Sequence, residues 1–388
     1  MSDVGGTARR LVPRFAARAS GYDIAGDFPG DDFADLRDAG LFGLMVPTRL
    51  GGLGAGFAEY AMVAQELARG NGATALVFNM HASVTGALAG IPDALIDALG
   101  VPESFLTARD RLLAAAAQGS WYAVAMSERG VGSRLSQLST VYSAEGTGFR
   151  IKGAKTFCSG AGHADGYLVA ARSAADPSLV SQFLIPADTD GITVEPTWDS
   201  LGMRATSSHD LHLDVVVPAD ALLGGVEGLA LLVAQLMPHW MVASYAAVYV
   251  GVAQAAVDAA VAHLNERKLA HLPAARARVG RADAAVAAAR LAVEEAARRV
   301  DAAPGEPETN RWVWRAKLLA GTTAADVAAS MLEAAGTSAS RRGHPLERLY
   351  RDARCGSLQP ATSDVCADWL GVAALGGDPD SDGTAPRW

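Results

Sequence analysis

The spacing of hydrophobic and polar residues changes twice along the chain. The first 119 residues follow a helical period, most clearly where four apolar side chains recur three or four positions apart, at Phe57, Tyr60, Ala64 and Leu67. This spacing predicts an amphipathic helix that ends at Gly70. A second apolar run, Thr74–Leu88, predicts a buried helix, on which we expect His81 to be a satisfied core residue.

A period of two replaces the helical period between residues 120 and 222. Short alternating and β-branched runs follow one another there: Trp121–Met126, Leu138–Ser143, Phe149–Ile151, Tyr167–Ala171, Gln182–Ile185, Ile192–Glu195 and Leu211–Val217. Turn-forming segments rich in glycine and aspartate separate several of them. Seven short strands predict one small barrel or sandwich.

The helical period returns from residue 223 onward. Three long, alanine-rich segments, Gly228–Arg267, Ala274–Val300 and Asn310–Ala335, predict an antiparallel bundle. Ala303–Pro307 breaks the pattern between two of them. The chain is therefore expected to be an α+β multidomain protein with an N-terminal helical domain (1–119), a β-domain (120–222) and a C-terminal helical bundle (223–388) whose tail, Gly376–Trp388, is frayed.

One uncharged stretch is long enough to span a bilayer. Thirty residues without a formal charge separate Glu227 from Asp258. The stretch contains Gln235 and Pro238, and its apolar content is mostly alanine and valine. We therefore predict a helix buried inside the bundle and no membrane span.

Composition narrows the class of protein. Half of the 388 residues are hydrophobic and 19% are charged, which allows a large core. A formal net charge of −9 argues against a nucleic-acid surface. The three cysteines, Cys158, Cys355 and Cys366, lack the spacing of disulfides or metal ligands, so we expect no metal site and a reducing, cytoplasmic location.

Two strand-to-loop junctions carry the candidate chemistry. Trp121–Met126 leads into a small-residue loop that ends at Ser133, and Phe149–Phe157 leads into the loop 158–162. Glycines let a backbone approach a flat ligand, and backbone N–H groups and hydroxyls supply donors. A planar, acceptor-rich cofactor such as a flavin suits them. An ordinary β-meander with polar turns is the alternative.

Several segments between about Phe28 and Gly371 resemble the acyl-CoA dehydrogenase family, a flavoprotein superfamily that also includes flavin monooxygenases of the same fold. The matching segments are Leu41–Pro47, Gly51–Gly54, Ala125–Glu128 with Gly132-Ser133, Lys152–Gly160, Gly202–Arg204, Asp214–Pro218 and Glu347–Arg354. The resemblance implies FAD. It places Val124, Met126, Ser127, Phe157 and Ser159 at the flavin ring and Ser133 at the pantetheine arm of the acyl carrier.

The resemblance also implies a site shared between chains. Arg267 falls where a neighbouring subunit's arginine reaches the FAD pyrophosphate. Gly336 and Thr337 fall where a turn from another subunit approaches the adenine half, and Thr362 matches a threonine that contacts FAD. A homo-oligomer, dimer or tetramer, is therefore expected.

The usual catalytic base is missing from both positions that the resemblance indicates. The family removes the α-proton of an acyl thioester with a carboxylate, yet Pro360 stands at the first position and Met241 at the second. Neither side chain accepts a proton. The weak candidates that remain are His239, Asp364 and Glu333.

Three functions stay open at this stage. The first is FAD-dependent α,β-dehydrogenation of an acyl thioester of CoA or a carrier protein, with a flavoprotein or O2 as electron acceptor and an unusually placed base. The second is a flavin-dependent monooxygenase of the same fold, which needs no base. Relatives of that kind carry histidines in the loop where this chain has Gly356 and Gln359. The third is a non-catalytic flavin-binding or assembly subunit.

Overall fold

Helices make up the N-terminal and C-terminal parts of the described chain. The structure is a computed structural model that describes residues 3–91 and 93–381, apart from the side chains of residues 93–95. The N-terminal helices are α1 (Val4–Ala25), α2 (Gly30–Asp38), α3 (Phe57–Gly70), α4 (Gly72–Ala89), α5 (Asp93–Leu99) and α6 (Glu103–Ala117). The C-terminal helices are α7 (Leu229–Leu236), α8 (Ala243–Glu266), α9 (Pro273–Ala302), α10 (Pro307–Ala335), α11 (Pro345–Arg354) and α12 (Ser363–Ala374).

The amphipathic helix predicted to end at Gly70 is α3, and its four periodic side chains are buried. Its first turn is held by a distant acidic residue. The carboxylate of Asp301, at the end of α9, accepts hydrogen bonds from the backbone N–H groups of Phe57 at 2.6 Å and Ala58 at 3.0 Å. Negative charge at a helix N-terminus stabilises free N–H groups. This contact fixes the N-terminal helices against the C-terminal ones.

His81 on α4 is the predicted core histidine. It is buried, its Nε2 lies 2.8 Å from the carbonyl of Phe42, and its Nδ1 accepts the backbone N–H of Tyr122 at 3.1 Å. The two contacts define a neutral ring with the proton on Nε2. Burial lowers its pKa to about 4. His81 therefore joins α4 to the first strand.

All seven predicted strands are present in one half-barrel sheet. They are β1 (Tyr122–Ala125), β2 (Val141–Glu145), β3 (Gly148–Cys158), β4 (Gly166–Ser173), β5 (Val180–Pro186), β6 (Ile192–Glu195) and β7 (His209–Pro218). Their order is β1-β4-β2-β3-β7-β6, with β5 paired to β4. β1 and β2 run parallel to opposite ends of β4, and the remaining pairs are antiparallel. The α+β architecture, helical then β then helical, is as predicted, and the exact domain boundaries stay predictions.

The predicted single helix Gly228–Arg267 is wrong. α7 ends at Leu236, a short turn covers Pro238–Trp240, and α8 starts at Ala243. Pro238 has no backbone N–H to donate and its ring excludes the preceding helical turn, so the helix breaks there. The segment Pro238–Glu266 is long and apolar enough to cross a bilayer, but 83% of its most apolar window is buried inside the fold, as predicted.

The larger of two hydrophobic clusters among the described residues connects the two helical parts with one face of the sheet. Its large buried members come from α1, α3, α8, α10 and β2: Phe15, Tyr60, Tyr249, Trp314 and Tyr142. A smaller apolar cluster lies between α4, α6, α7 and the other side of β4 and β5. Residues 382–388 of the tail predicted to be frayed lie outside the described residues.

Three distant segments meet at a buried ion-pair cluster. Arg351 on α11 donates to the carboxylates of Asp23 on α1 and Glu347, and to the carbonyl of Leu201 at 3.0 Å. Arg204, beyond β6, donates to the backbone carbonyl of Asp23 at 3.0 Å. Both arginines therefore have structural roles that tie the sheet to α1 and α11.

Candidate functional site

A cavity of about 410 Å³ lies where the two helical parts meet the sheet. Its walls come from α4, α5, α6, β1, β4, β5, α7 and the start of α8, with the turns at residues 304–306 and 360. The volume is in the range typical of small-molecule sites. Four of the predicted flavin- or substrate-contacting residues line it: Val124, Met126, Ser127 and Ser133.

The two predicted loops are fastened together by a buried ion pair. Lys155 Nζ on β3 donates to Glu128 Oε1 at 2.7 Å, and both side chains are buried. Glu128 also accepts the N–H and hydroxyl of Ser139 at 2.6 Å each and the N–H of Thr140 at 3.0 Å. Burial opposes ionisation of Glu128, but the Lys155 ammonium and the Ser139 donors outweigh it and lower its pKa to about 2. Glu128 is therefore a structural anion that sets the first loop.

A β-bulge turns Phe157 outward. From Lys155 to Cys158, β3 advances by three residues while its partner β7 advances by two. Phe157 takes a left-handed backbone conformation, with φ of 57°, and its side chain is 61% exposed. Its only ring contact among the described residues is the edge of Trp198, with centroids 6.0 Å apart. Bulges beside sites commonly redirect a side chain in this way. Phe157 is thus presented as a free aromatic surface.

Ser159 starts a short chain of hydroxyl groups. Its Oγ lies 2.8 Å from Ser208 Oγ, which lies 2.7 Å from Thr206 Oγ1. The second loop is also fixed through its backbone, because the N–H of Gly160 donates to the carbonyl of Thr206 at 2.8 Å. A side chain at Gly160 would collide with the ring of Trp121. The loop is therefore rigid and close-packed behind Phe157.

Pro360 and Met241, the two positions that lack a base, both line the cavity. The buried Lys317 stabilises the turn that carries Pro360. Its ammonium donates hydrogen bonds to the carbonyls of Gly356 at 2.8 Å and Ala361 at 2.9 Å. Burial lowers the pKa of Lys317 to about 8. Within the described lining, Glu306 is the single charged side chain, and it is exposed.

None of the three weak candidates for the base lines this cavity. His239 is buried against the edge of the Phe57 ring, and burial lowers its pKa to about 3. Glu333 is exposed and pairs with Arg278 at 2.7 Å. Asp364 is exposed in the first turn of α12. His239 is packed in the core, and Glu333 and Asp364 face solvent, so none of the three side chains faces the cavity of its own chain.

The residues predicted to act across a subunit boundary lie at one end of the bundle. Arg267 caps α8 and is exposed, as are Gly336 and Thr337 after α10. The two segments are neighbours, since Ser338 Oγ lies 3.5 Å from His263 Nε2. They do not line the cavity of their own chain. Thr362 also lies outside the lining. It caps α12 by accepting the N–H of Val365 at 3.3 Å.

The cavity residues that the sequence did not indicate include three with polar or ionisable side chains: Gln182, Tyr245 and Glu306. Tyr245 is partly buried, and burial raises its pKa to about 12, so it stays neutral at ordinary pH. Glu306 belongs to the break predicted at Ala303–Pro307, where only the turn was recognised. Gln182 had a signal in the sequence, since it is the one amide in an otherwise mostly apolar strand.

The residues around the two loops fit a flavin. Phe157 offers an uncovered ring face, while Ser127 and Ser159 belong to loops whose backbone and hydroxyl groups include donors. The apolar wall of Val124 and Met126 suits the faces of a fused ring. No group of three or more metal-ligating side chains is present among the described residues.

Comparison with known proteins identifies the family. Models of the acyl-CoA dehydrogenase N-terminal, middle and C-terminal domains match residues 4–91, 123–216 and 243–362. A putative acyl-CoA dehydrogenase of Bacillus subtilis is 30% identical over 94% of this chain and 95% of its own. L-evernosamine nitrososynthase of a Micromonospora species is 32% identical over 96% of this chain and 90% of its own.

Two solved structures have the same fold and carry FMN. TdsC of Paenibacillus sp. A11-2, also described as a dibenzothiophene monooxygenase, superposes with a TM-score of 0.84 at 25% identity, over 97% of this chain and 98% of its own. KijD3, bound to FMN and a dTDP-linked amino keto sugar, has a TM-score of 0.84 at 28% identity, over 98% of this chain and 96% of its own. The chain belongs to the acyl-CoA dehydrogenase family and has the fold of its flavin-dependent oxidoreductases.

Proposed function

We propose that this protein is a flavin-dependent monooxygenase that inserts one oxygen atom of O2 into a small, largely apolar substrate. The observation that carries the proposal is the wall formed by Met241 and Pro360. Removal of an α-proton from an acyl thioester needs a proton acceptor beside the reacting carbon. Neither side chain supplies one, whereas monooxygenation has no need of a base there.

The reaction balances with a supplied reductant. One atom of O2 enters the substrate, the other leaves as water, and two electrons with two protons come from a reduced flavin delivered by a separate flavin reductase. A bound flavin contributes the two-electron chemistry with O2. The chain's own residues would position the reactants. Phe157 and the loop of Ser127 would hold the flavin ring, and the apolar cavity would exclude water from the substrate.

Relatives support this proposal. The Micromonospora relative is named a nitrososynthase, and TdsC is described as a dibenzothiophene monooxygenase. Both are similar to this chain over nearly its full length. Oxygenating chemistry therefore occurs among the proteins that this chain resembles in sequence and in fold.

Dehydrogenation of an acyl thioester is the second candidate, because Glu306 places one carboxylate on the cavity wall and Ser133 also lines it. Glu306 is exposed and has no ion-pair partner in the described part of the chain. In this alternative Glu306 acts as the unusually placed base, and a partner flavoprotein or O2 accepts the electrons.

An anaerobic titration separates the two candidates. Butyryl-CoA and longer acyl-CoA thioesters are mixed with the flavin-loaded protein, and the visible absorption band of the flavin is followed. We expect no bleaching. Bleaching that is lost in Glu306→Gln but kept in Glu308→Gln would establish dehydrogenation instead. Glu308 is a matched control because it pairs with Arg315 at 2.9 Å and does not line the cavity.

We also propose FAD as the cofactor and a homo-oligomer, dimer or tetramer, as the working form. The support is the exposed position of Arg267, Gly336 and Thr337 away from the cavity of their own chain. A guanidinium binds a pyrophosphate well through paired hydrogen bonds. These residues would then hold the nucleotide half of a flavin in a neighbouring copy.

A further inference from the structure

Gln182 is a polar residue on an apolar face of the sheet. It lies in the middle of β5, and its neighbours on the same face of that strand are Val180 and Leu184. The residue paired with it on the neighbouring strand β4 is Ala170. The side chain is only 7% exposed, and it lines the cavity. A polar amide in such a place is unfavourable unless it binds something.

The amide has almost no partner within the protein. Its one side-chain hydrogen bond to a described residue runs from Nε2 to the thioether Sδ of Met126 at 3.9 Å, and a thioether is a weak acceptor. No partner for its oxygen is found among the described residues. Gln182 therefore offers the cavity one donor and one acceptor at a single point.

The other residues that line the cavity indicate what kind of molecule Gln182 would bind. Ser83 Oγ already donates to the carbonyl of Trp240 at 3.0 Å. Tyr245 OH has only a weak contact, 3.9 Å from Met80 Sδ, and the buried Nε1 of Trp240 has no partner but can only donate. Among these groups, the Gln182 amide is the one that presents a donor and an acceptor side by side. No lysine or arginine is among the described lining residues, so a phosphate has no cation to bind inside the cavity. The single charged side chain, Glu306, disfavours anions.

We propose that Gln182 is the specificity-determining residue of this site and that it binds a hydrogen-bonding group of an uncharged, largely apolar substrate. This inference rests on the proposed function for the reaction, but it concerns binding alone. A site built to hydrogen-bond its substrate discriminates strongly against an analogue of the same shape that lacks the group.

Three bicyclic probes of nearly equal shape test the proposal. Indole carries an N–H donor, benzofuran an oxygen acceptor, and indene neither. Their dissociation constants for the flavin-loaded full-length protein are measured by calorimetry, with no turnover required. We expect indole and benzofuran to bind about tenfold more tightly than indene, the ratio that one hydrogen bond supplies.

Gln182→Met is the informative variant, because methionine keeps the length of the side chain and removes the amide. The preference should fall to about twofold or less, while the affinity for indene stays the same or rises. Gln182→Leu should give the same loss, and Gln118→Met, an exposed change at the end of α6, should leave the tenfold preference unchanged. The melting temperature of Gln182→Met should not fall, whereas a structural glutamine would lower it.

A tenfold preference that survives in both Gln182 variants would overturn the proposal, as would a wild-type protein that binds none of the three probes. The outcome is separable from the reaction. A protein that shows the preference but fails to oxygenate contradicts the proposed function only. One that oxygenates without the preference contradicts only the role of Gln182.

Discussion

Lys155 Nζ lies 2.7 Å from Glu128 Oε1, and this buried pair joins the two loops that were predicted to hold the cofactor. A backbone hydrogen bond joins the same two segments, since the N–H of Thr156 donates to the carbonyl of Ser127 at 2.8 Å. The first loop therefore depends for its shape on a residue in the strand that leads to the second.

Replacing Lys155 with methionine should destabilise the fold strongly. The change leaves the Glu128 carboxylate buried without its counter-ion, which costs about 3–5 kcal/mol in comparable cases. Chemical denaturation monitored by circular dichroism measures the free energy of unfolding. Lys152→Met is the control, because Lys152 is exposed and lies 3.6 Å from Asp214. It should cost less than about 1 kcal/mol. Equal effects of the two changes would contradict the structural role of the pair.

Acid should destabilise the protein in two stages. Burial lowers the pKa of His81 to about 4 and that of His239 to about 3, so the unfolded chain binds protons first as the pH falls below about 6.5. Stability is then lost by about 1.4 kcal/mol per pH unit for each histidine. Glu128, with a lowered pKa of about 2, adds a further loss below about pH 4.5.

His239→Leu tests the first stage. The slope of unfolding free energy against pH between about pH 6 and 4.5 should fall by about 1 kcal/mol per pH unit, because one histidine that stays neutral only in the folded state is gone. His212→Leu, an exposed histidine 2.8 Å from Glu195, is the control for loss of a histidine. A slope that does not change in His239→Leu would show that His239 is not the buried neutral group described above.

Phe157→Ala should separate cofactor binding from folding. The side chain is 61% exposed, so its removal should change the unfolding free energy by no more than about 0.5 kcal/mol. The affinity for flavin should drop about tenfold, because an aromatic contact is lost. Titration of apoprotein with flavin, followed by fluorescence quenching, measures it. Val216→Ala, which removes an apolar side chain 52% exposed on β7, should leave flavin affinity unchanged. A similar loss in Val216→Ala would contradict a specific role for Phe157.

Arg267→Gln should distinguish FAD from FMN. If Arg267 binds the pyrophosphate of FAD in a neighbouring copy, its loss should weaken FAD binding about 10- to 100-fold, as expected for charge-assisted hydrogen bonds, and should leave FMN binding unchanged. Lys268→Gln, the next exposed residue, is the control. An Arg267 variant that binds FAD as well as the wild type would contradict the shared site.

The sequence predicted most of the fold, because periodicity and turn residues are local signals. It identified all seven strands and the place of His81 as a satisfied core residue. The prediction was wrong at Pro238. The helix breaks there, but the apolar pattern continues through the break and gives no sign of it. Proline cannot donate the helical hydrogen bond, so it ends the helix even where the hydrophobic spacing continues to predict one.

The site was less predictable. Met241 and Pro360 are far apart in the chain, and periodicity says nothing about their shared cavity; only the family resemblance indicated both. The outward turn of Phe157 depends on a bulge between β3 and β7, which is a property of pairing. The amide of Gln182 stands out in an apolar strand, but the sequence does not show that this face of β5 borders a cavity.

The most direct test of oxygenation follows the oxygen atom itself. The flavin-loaded protein, with a flavin reductase and NADH as the source of electrons, is incubated with indole under 18O2, and the product is examined by mass spectrometry. Incorporation of one 18O atom per product molecule, with no flavin bleaching by acyl-CoA thioesters, is the predicted result. Bleaching by a thioester together with an unlabelled, unchanged indole would contradict monooxygenation and favour dehydrogenation.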